Sequence, residues 1–277
     1  MGCVLFFIQY IFVFVVTPFF QDQFFLPMKS STAYTLLSFL LLSVIISSCQ
    51  AKSSTPNDSL PSPMNATLDS TKHLYFYKPD YYNIDLVSGE RPDTMDMDIL
   101  FCAEAAFTGK IVDSFYYKNI AGDFVCDGEC HCGYECGANS GGFIFYKDGH
   151  WAFYPKDVYQ SKLKDTTVRC AYEQALLILN GTIHRPYLMK PERQEVYRAL
   201  CENDRGELMV VTAKSDIPYA QFVQMLKDEL QAVNALYMDM GTGWNYSWYR
   251  NEDSTFTTWF PMAKWTQYQT NWLVFKR

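Results

Sequence analysis

The sequence predicts an α+β fold with an extensive mixed or antiparallel sheet and few helices. Three observations lead to this prediction. Short β-rich runs recur through residues 74–277, turn-forming residues separate several of them, and a single stretch shows clear helical periodicity. The chain has 277 residues, of which 49% are hydrophobic and 17% aromatic, so it can bury one core of ordinary size.

Turn residues divide the first part of the predicted domain into strands. Asn180 and Gly181 directly follow an apolar run, which is the pattern of a tight hairpin turn. Gly149 marks a second hairpin turn, and residues 203–206 (NDRG) mark a third. The strands and hairpins predicted here occupy 97–103, 110–118, 141–155, 174–183 and 195–214.

The predicted helix follows the last of these strand pairs. It begins with a cap at Ser215 or Asp216. Apolar residues then recur at spacings of four, four and three, which places them on one helical face: Phe222, Leu226, Leu230 and Val233. The helix leads into an apolar strand that ends at Asp239. Strands near 246–250, 255–260 and 271–276 complete the chain.

The amino-terminal 48 residues read as a signal region. Residues 28–49 (MKSSTAYTLLSFLLLSVIISSC) have a basic start, an apolar stretch and small residues before a cysteine, which resembles a bacterial lipoprotein signal with ISSC as its lipobox. On this reading Met28 is a candidate start and Cys49 is lipidated. A plain transmembrane anchor is the alternative, because the apolar run after Cys3 is nearly long enough to span a bilayer.

Composition and charge limit where the protein can be located and what it can bind. Residues 49–73 are rich in Ser, Thr, Pro and Asn and predict a flexible tether, so that the folded domain covers 74–277. The net charge of -7 and the scattered basic residues give no footprint for nucleic acid. We therefore expect an envelope protein on the periplasmic or outer-membrane face, held to the membrane by a lipid.

Four cysteines crowd into residues 126–136 (CDGECHCGYEC). Structural zinc motifs separate two pairs of ligands by a longer stretch, so this spacing argues against a metal site. An exported compartment favours disulfides instead. The disulfide candidates are Cys126, Cys130, Cys132 and Cys136. With Cys102, Cys170 and Cys201 the domain has seven cysteines, which cannot all pair, and Cys102 is the simplest one to leave as a free, buried residue.

The order of four segments is similar to that of the phosphodiester glycosidase family. ILFCAEAAF is followed by QALLILNG, then by YRAL before a strand, and finally by a helix and ALYMDMGTG. The family includes the enzyme that uncovers mannose 6-phosphate on lysosomal glycoproteins by removing N-acetylglucosamine, together with many bacterial secreted proteins. The resemblance spans roughly residues 95–277 and indicates a divergent bacterial lipoprotein branch.

The resemblance assigns candidate roles to individual residues. The family pattern Asn-Gly-Gly-Phe-Phe corresponds to residues 104–108 here, with Glu104 in place of the amide. The family arginine corresponds to Arg198, and Asp-Gly-Gly-Ser corresponds to residues 239–242, with Met240 in place of the first glycine. The implied catalytic pair is Asp239 and Glu104.

The same residues make chemical sense on their own. A guanidinium suits a phosphate, and carboxylates stabilise the oxocarbenium character that develops when an anomeric bond breaks, while one serves as acid or base. Glycines after the strand let a ligand approach the backbone. The candidate substrate-binding residues are Arg198, Gly241, Thr242, Gly243 and Trp244. We expect Asp239 and Arg198 in one pocket with Glu104 at its rim.

Each of these residues also has an ordinary structural interpretation. An aspartate after a strand is often a turn former, and Arg198 could pair with a neighbouring glutamate. Three functions therefore compete: a hydrolase that removes a sugar from a glycosyl phosphodiester, a non-catalytic glycan-binding lipoprotein on the same fold, and an interaction module built on the cysteine segment. No motif indicates a cofactor or a metal.

Overall fold

The computed structural model describes residues 67–79, 83–109, 117–185, 190–241, 245–261 and 271–277. These residues belong to one compact unit, Leu60–Arg277. Two helices and eighteen strands are present in this part of the chain, and every pairing between its strands is antiparallel. The predicted sheet-rich α+β class is confirmed.

The larger sheet has eleven strands. Its main path runs β1-β2-β13-β12-β15-β9-β5-β6, with β7 and β10 also paired to β9, and β8 paired to β7. In chain order these strands are β1 Thr67–Ser70, β2 Leu74–Lys78, β5 Phe124–Cys126, β6 Glu129–His131, β7 Ser140–Tyr146, β8 Trp151–Pro155, β9 Val168–Leu179, β10 Thr182–Ile183, β12 Arg198–Asn203, β13 Leu208–Ala213 and β15 Ala232–Met238.

The smaller sheet has five strands in the order β17-β16-β4-β18-β3. They are β3 Ile84–Ser88, β4 Ile99–Glu104, β16 Ser247–Arg250, β17 Phe256–Phe260 and β18 Asn271–Lys276. The remaining elements are a two-stranded pair, β11 Gln194–Glu195 and β14 Ile217–Pro218, a 3-10 turn at Tyr117–Asn119, and the helices α1 Lys156–Lys162 and α2 Tyr219–Leu230.

Strand alternation divides the buried residues between two main layers. On β12, Leu200 belongs to the core between the two sheets, whereas its neighbour Ala199 belongs to the core beneath α2. The smaller sheet also has a buried outer face, where Cys102 packs with Trp248 and Trp272. The result is a sandwich of two sheets with α2 against the outside of the larger sheet.

The predicted turns are present. Asn180 and Gly181 have φ values of 49° and 74°, the pair of positive angles that a two-residue hairpin turn needs. The hairpins β7–β8 and β12–β13 lie where the sequence indicated, and their turns contain the positive-φ residues Gly149 and Gly206. The strand predicted at 110–118 lies largely outside the described residues.

Three boundaries differ from the prediction. Helix α2 begins at Tyr219 rather than near Ser215, because Ile217 and Pro218 pair with β11 and Pro218 supplies the extended residue before the helix. Val233 belongs to β15 rather than to the helix, since Gln231 ends α2 in the left-handed conformation. Strand β1 lies inside the segment expected to be a tether.

Neither helix in the described part is long and apolar enough to cross a membrane.

Candidate functional site

Asp239 follows the last residue of β15 and is 2% exposed. Its backbone N–H donates to the carbonyl of Ala105 at 2.8 Å, which fixes the end of β15 beside the end of β4. Its Oδ1 accepts a hydrogen bond of 2.9 Å from the backbone N–H of Gly241. The turn-forming role of Asp239 is therefore real, and a buried carboxylate lies at a strand end.

Glu104 is the last residue of β4 and is fully buried, so its expected place at the rim of a pocket is wrong. It pairs with Trp272 across β18, and alternation along β4 places it on the face that also carries Cys102. Neither carboxylate oxygen forms a hydrogen bond within 3.5 Å among the described residues, and the backbone N–H of Tyr246 is close enough only to lower the pKa of the carboxyl against the larger effect of burial. A buried carboxyl without partners strongly disfavours its charged form.

Arg198 opens β12 directly opposite Met238, the residue before Asp239. Its guanidinium is fully buried and lies over the rings of Trp259 and Phe260, with its central carbon 5.6 and 5.1 Å from their centroids.

Two of the Arg198 nitrogens donate hydrogen bonds. Nε donates to Thr212 Oγ1 at 3.3 Å, and Nη2 donates to Ser247 Oγ at 2.7 Å and to the Asn245 carbonyl at 3.3 Å. Nη1 has no partner in the described part of the chain.

The three ionisable groups influence one another without direct pairing. No ion pair within 4.0 Å joins any two of them in the described residues. Burial raises the pKa of Asp239 to about 7, although the backbone N–H of Gly241 and the charge of Arg198 both lower that pKa. Burial and then the Asp239 carboxylate raise the pKa of Glu104 well above its usual range, while burial lowers the pKa of Arg198 to about 10.

This arrangement separates the chemical roles of the two carboxyl groups. Burial and the neighbouring Asp239 carboxylate favour the protonated form of Glu104, which can donate a proton. Asp239 changes protonation near neutral pH, where a general acid or base works best. Arg198 Nη1 is an unsatisfied donor with respect to the described part of the chain. Unpaired buried polar groups are costly, and their concentration in one region is typical of functional sites.

Asn271 is a site-supporting residue that the sequence did not reveal. Its side chain forms two hydrogen bonds with Ala106: Oδ1 accepts from the Ala106 N–H at 2.9 Å, and Nδ2 donates to the Ala106 carbonyl at 3.0 Å. Its own carbonyl accepts from the Ala105 N–H at 3.0 Å. The two residues are 165 positions apart in the chain, so no local pattern indicates the contact.

Several predicted site residues lie outside the described residues: Thr242, Gly243, Trp244 and Cys49. Gly241 is described, and its N–H is engaged by Asp239. No group of three or more His, Cys, Asp or Glu residues in the described ranges is arranged to hold a metal ion.

The expected disulfides are absent from the structure, in which all seven cysteines of the described part are thiols. The β5–β6 hairpin explains one missing pair. Val125 lies opposite Cys130, and Cys126 lies opposite Glu129, so Cys126 and Cys130 point to opposite faces. Cys136 is buried, whereas Cys130 and Cys132 are exposed. Cys102 is buried in the outer core of the smaller sheet, as expected.

No protein-family model matches the chain, and no curated protein matches its sequence. A solved structure does match in fold: the catalytic domain of zebrafish N-acetylglucosamine-1-phosphodiester alpha-N-acetylglucosaminidase, auto-inhibited by its pro-peptide. The two chains share 12% sequence identity, and the match covers 80% of this chain and 85% of the zebrafish chain. With a TM-score of 0.51, this likeness relates the sandwich described above to the fold of a glycosidase catalytic domain.

Proposed function

We propose that the protein is an envelope-anchored hydrolase that releases a sugar from a glycosyl phosphodiester. The observation that carries the proposal is the buried group of Glu104, Asp239 and Arg198, whose charges influence one another; within the described ranges, both Glu104 oxygens and Arg198 Nη1 lack a hydrogen bond. The fold likeness to a glycosidase catalytic domain supports the reaction class. Anchoring rests on the lipoprotein-like segment that ends at Cys49.

The chemistry divides among the three residues as follows. Arg198 Nη1 donates a hydrogen bond to a phosphate oxygen, which orients the diester; the other donors are engaged, so the contact is made through one nitrogen rather than two. Protonated Glu104 gives its proton to the departing phosphate oxygen as the anomeric bond breaks. Asp239 stabilises the positive charge on the sugar and takes a proton from the attacking water.

The decisive variant is Asp239→Asn. The amide still accepts the Gly241 N–H through Oδ1 but cannot take up a proton as a carboxylate does, so turnover should fall by about 10²-fold or more with the fold intact. Asp165→Asn is the matched control, because Asp165 Oδ1 likewise accepts a 2.9 Å hydrogen bond from the N–H two residues later. The measurement is hydrolysis of a panel of sugar 1-(methyl phosphate) diesters, together with a melting curve for each variant.

The outcomes separate the proposed hydrolase from its alternative. Full activity of Asp239→Asn, or loss of activity only through unfolding, would show that Asp239 is not catalytic. Binding of the diesters by the wild-type protein without turnover would instead support a glycan-binding lipoprotein. The replacement of the family amide by Glu104 and of a family glycine by Met240 favours that second function.

A further inference from the structure

The cysteine segment, residues 126–136, reaches the candidate site through Tyr134. The Tyr134 N–H donates to the Ile120 carbonyl at 2.9 Å, and the Tyr134 carbonyl accepts from the Gly122 N–H at 2.7 Å. Ile120 in turn forms an antiparallel bridge with Thr108, four residues after Glu104. Residues 108, 120 and 134 are therefore neighbours across two successive backbone contacts.

Thr108, the bridge partner of Ile120, lies next to Asp239. The backbone N–H of Thr108 contributes to holding down the pKa of Asp239, so the two groups are adjacent. The ring of Tyr134 lies against the backbone of Gly109: a Cβ added at Gly109 would be 3.0 Å from its Cε1 and 3.5 Å from its Cζ. The ring is thus carried to the residues next to the candidate catalytic carboxylate.

Gly133 fixes the position of that ring. A Cβ at residue 133 would be 2.1 Å from the Gly122 carbonyl oxygen and 2.2 Å from that of Ile120, so only glycine permits this approach of the two backbones. The place of Tyr134 is consequently set by backbone contacts rather than by a flexible side chain.

Tyr134 is accessible where Asp239 is not. Its side chain is 38% exposed, and Gly109 beside it is also exposed, whereas Asp239 is 2% exposed. Burial, then Cys136 and then the Asp239 carboxylate raise the pKa of the Tyr134 phenol to about 12. The phenol therefore lies within electrostatic range of Asp239, on the side of the site that solvent reaches.

We propose that Tyr134 forms a wall of the substrate entrance and determines which sugar is accepted, by stacking its ring on one face of the sugar. This inference rests on the proposed function. Aromatic rings bury apolar area while leaving a hydroxyl free to hydrogen-bond, which suits the apolar face and polar edge of a pyranose. The cysteine segment is then a specificity element of the site, because it carries the ring.

The first test compares variants on glucose, mannose, galactose and N-acetylglucosamine 1-(methyl phosphate) diesters. Tyr134→Ala should raise KM for the preferred sugar about tenfold with kcat little changed, and should narrow the differences between sugars. Tyr134→Phe should keep most of the preference, because the ring remains. Phe256→Ala is the control, since Phe256 is similarly exposed at 43% but lies at the opposite end of β17 from Phe260. Unchanged KM values in Tyr134→Ala would overturn the proposal.

A second pair of variants tests the backbone device. Gly133→Ala should reproduce the KM effect of Tyr134→Ala, because its methyl group would collide with the Gly122 and Ile120 carbonyl oxygens and displace the backbone that carries the ring. Gly128→Asn in the same segment is the control: position 128 has open space around it, and asparagine tolerates its φ of 75°. Equal effects of the two glycine variants would contradict a specific role for the Tyr134 position.

A third measurement does not depend on activity. A fluorinated tyrosine of lower intrinsic pKa at position 134, followed by 19F NMR, should titrate at lower pH in the Asp239→Asn background, because a negative neighbour has been removed. An unchanged titration would overturn the placement of Tyr134 beside Asp239. A second outcome is that the titration shifts but the wild-type protein neither cleaves nor binds any of the diesters. In that case the proposed hydrolase and its sugar contact are wrong, while the placement of Tyr134 beside Asp239 is confirmed. An active enzyme with unchanged variants would reject only the role of Tyr134.

Discussion

At the scale of single residues, the burial of the Arg198 guanidinium is a costly feature of the site. Burying a guanidinium without an ion pair is unfavourable, and the protein offsets the cost with hydrogen bonds to Thr212 and Ser247 and with two aromatic rings. Arg250 shows what a purely structural arginine looks like. Its three nitrogens donate to backbone carbonyls of residues 94, 96, 99 and 254. Arg198 differs because its Nη1 has no hydrogen-bond partner among the residues that the structure describes.

The contrast between the two arginines gives a prediction for Arg198→Lys. The single ammonium of lysine cannot donate to Thr212 and Ser247 and also reach the phosphate, so we expect KM for a glycosyl phosphodiester to rise about tenfold or more and stability to fall by about 1–3 kcal/mol. Arg250→Lys should lower stability by a similar amount without changing KM. Steady-state kinetics with urea unfolding would check both, and equal KM effects would argue against phosphate binding by Arg198.

The raised pKa of Asp239 predicts how stability depends on pH. An unfolded aspartate releases its proton near pH 4, whereas folded Asp239 keeps it until about pH 7. Its contribution is therefore fully present below pH 4 and is lost as pH rises to about 7, at about 1.4 kcal/mol per unit of pKa difference. The raised pKa of Glu104 makes stability fall with increasing pH in the same way, and this contribution is present in every variant that retains Glu104.

Urea unfolding between pH 4 and 8 would measure this term. The free energy of unfolding of the wild type should fall relative to that of Asp239→Asn as pH increases through this range. Parallel curves for the two proteins would show that Asp239 titrates at an ordinary pH in the fold.

At the scale of elements, local chemistry predicts the turns and long-range pairing decides the boundaries. Asn180 and Gly181 specify a hairpin because few other residues accept two successive positive φ angles. The start of α2 could not be read from its cap-like residues, because Ile217 and Pro218 are recruited into a strand pair with residues 194–195. Helix α1 is short and depends on packing, with Tyr159 as its buried anchor.

That anchor gives a prediction for the packing of α1. A Cβ at Gly142 in β7 would lie 2.0 to 2.4 Å from ring atoms of Tyr159, so Gly142→Ala should destabilise the protein by about 1–3 kcal/mol through overpacking. The double variant Gly142→Ala, Tyr159→Leu should recover part of the loss, although it also removes the 2.7 Å hydrogen bond from Tyr159 to the Asp123 carbonyl. Thermal melts would report both, and additive losses would contradict a steric cause.

At the scale of the whole molecule, the sequence predicted which polar residues share a site but not how their side chains are arranged relative to one another. The segment order placed Glu104 and Asp239 at strand ends and Arg198 on a middle strand. In the structure the bond from the Asp239 N–H to the Ala105 carbonyl joins the first two ends, and the pairing of β12 with β15 sets Arg198 opposite Met238. The burial of Glu104, the Asn271 contacts and the approach of Tyr134 depend on pairings between residues distant in the chain. Such contacts leave no local periodicity or spacing to detect.

The location of the whole protein in the cell depends on how it is anchored, and the clearest prediction about the anchor concerns Cys49. The ISSC ending of an apolar run, followed by a polar segment, predicts lipid attachment at that thiol. Cys49→Ser should release the protein into the soluble fraction and abolish labelling by a fatty-acid analogue, because one thioether-linked lipid supplies the anchor. Cys3→Ser is the matched control, since Cys3 precedes the earlier apolar run and should not affect either readout. If Cys49→Ser remains in the membrane fraction without label, an uncleaved apolar segment anchors the protein instead.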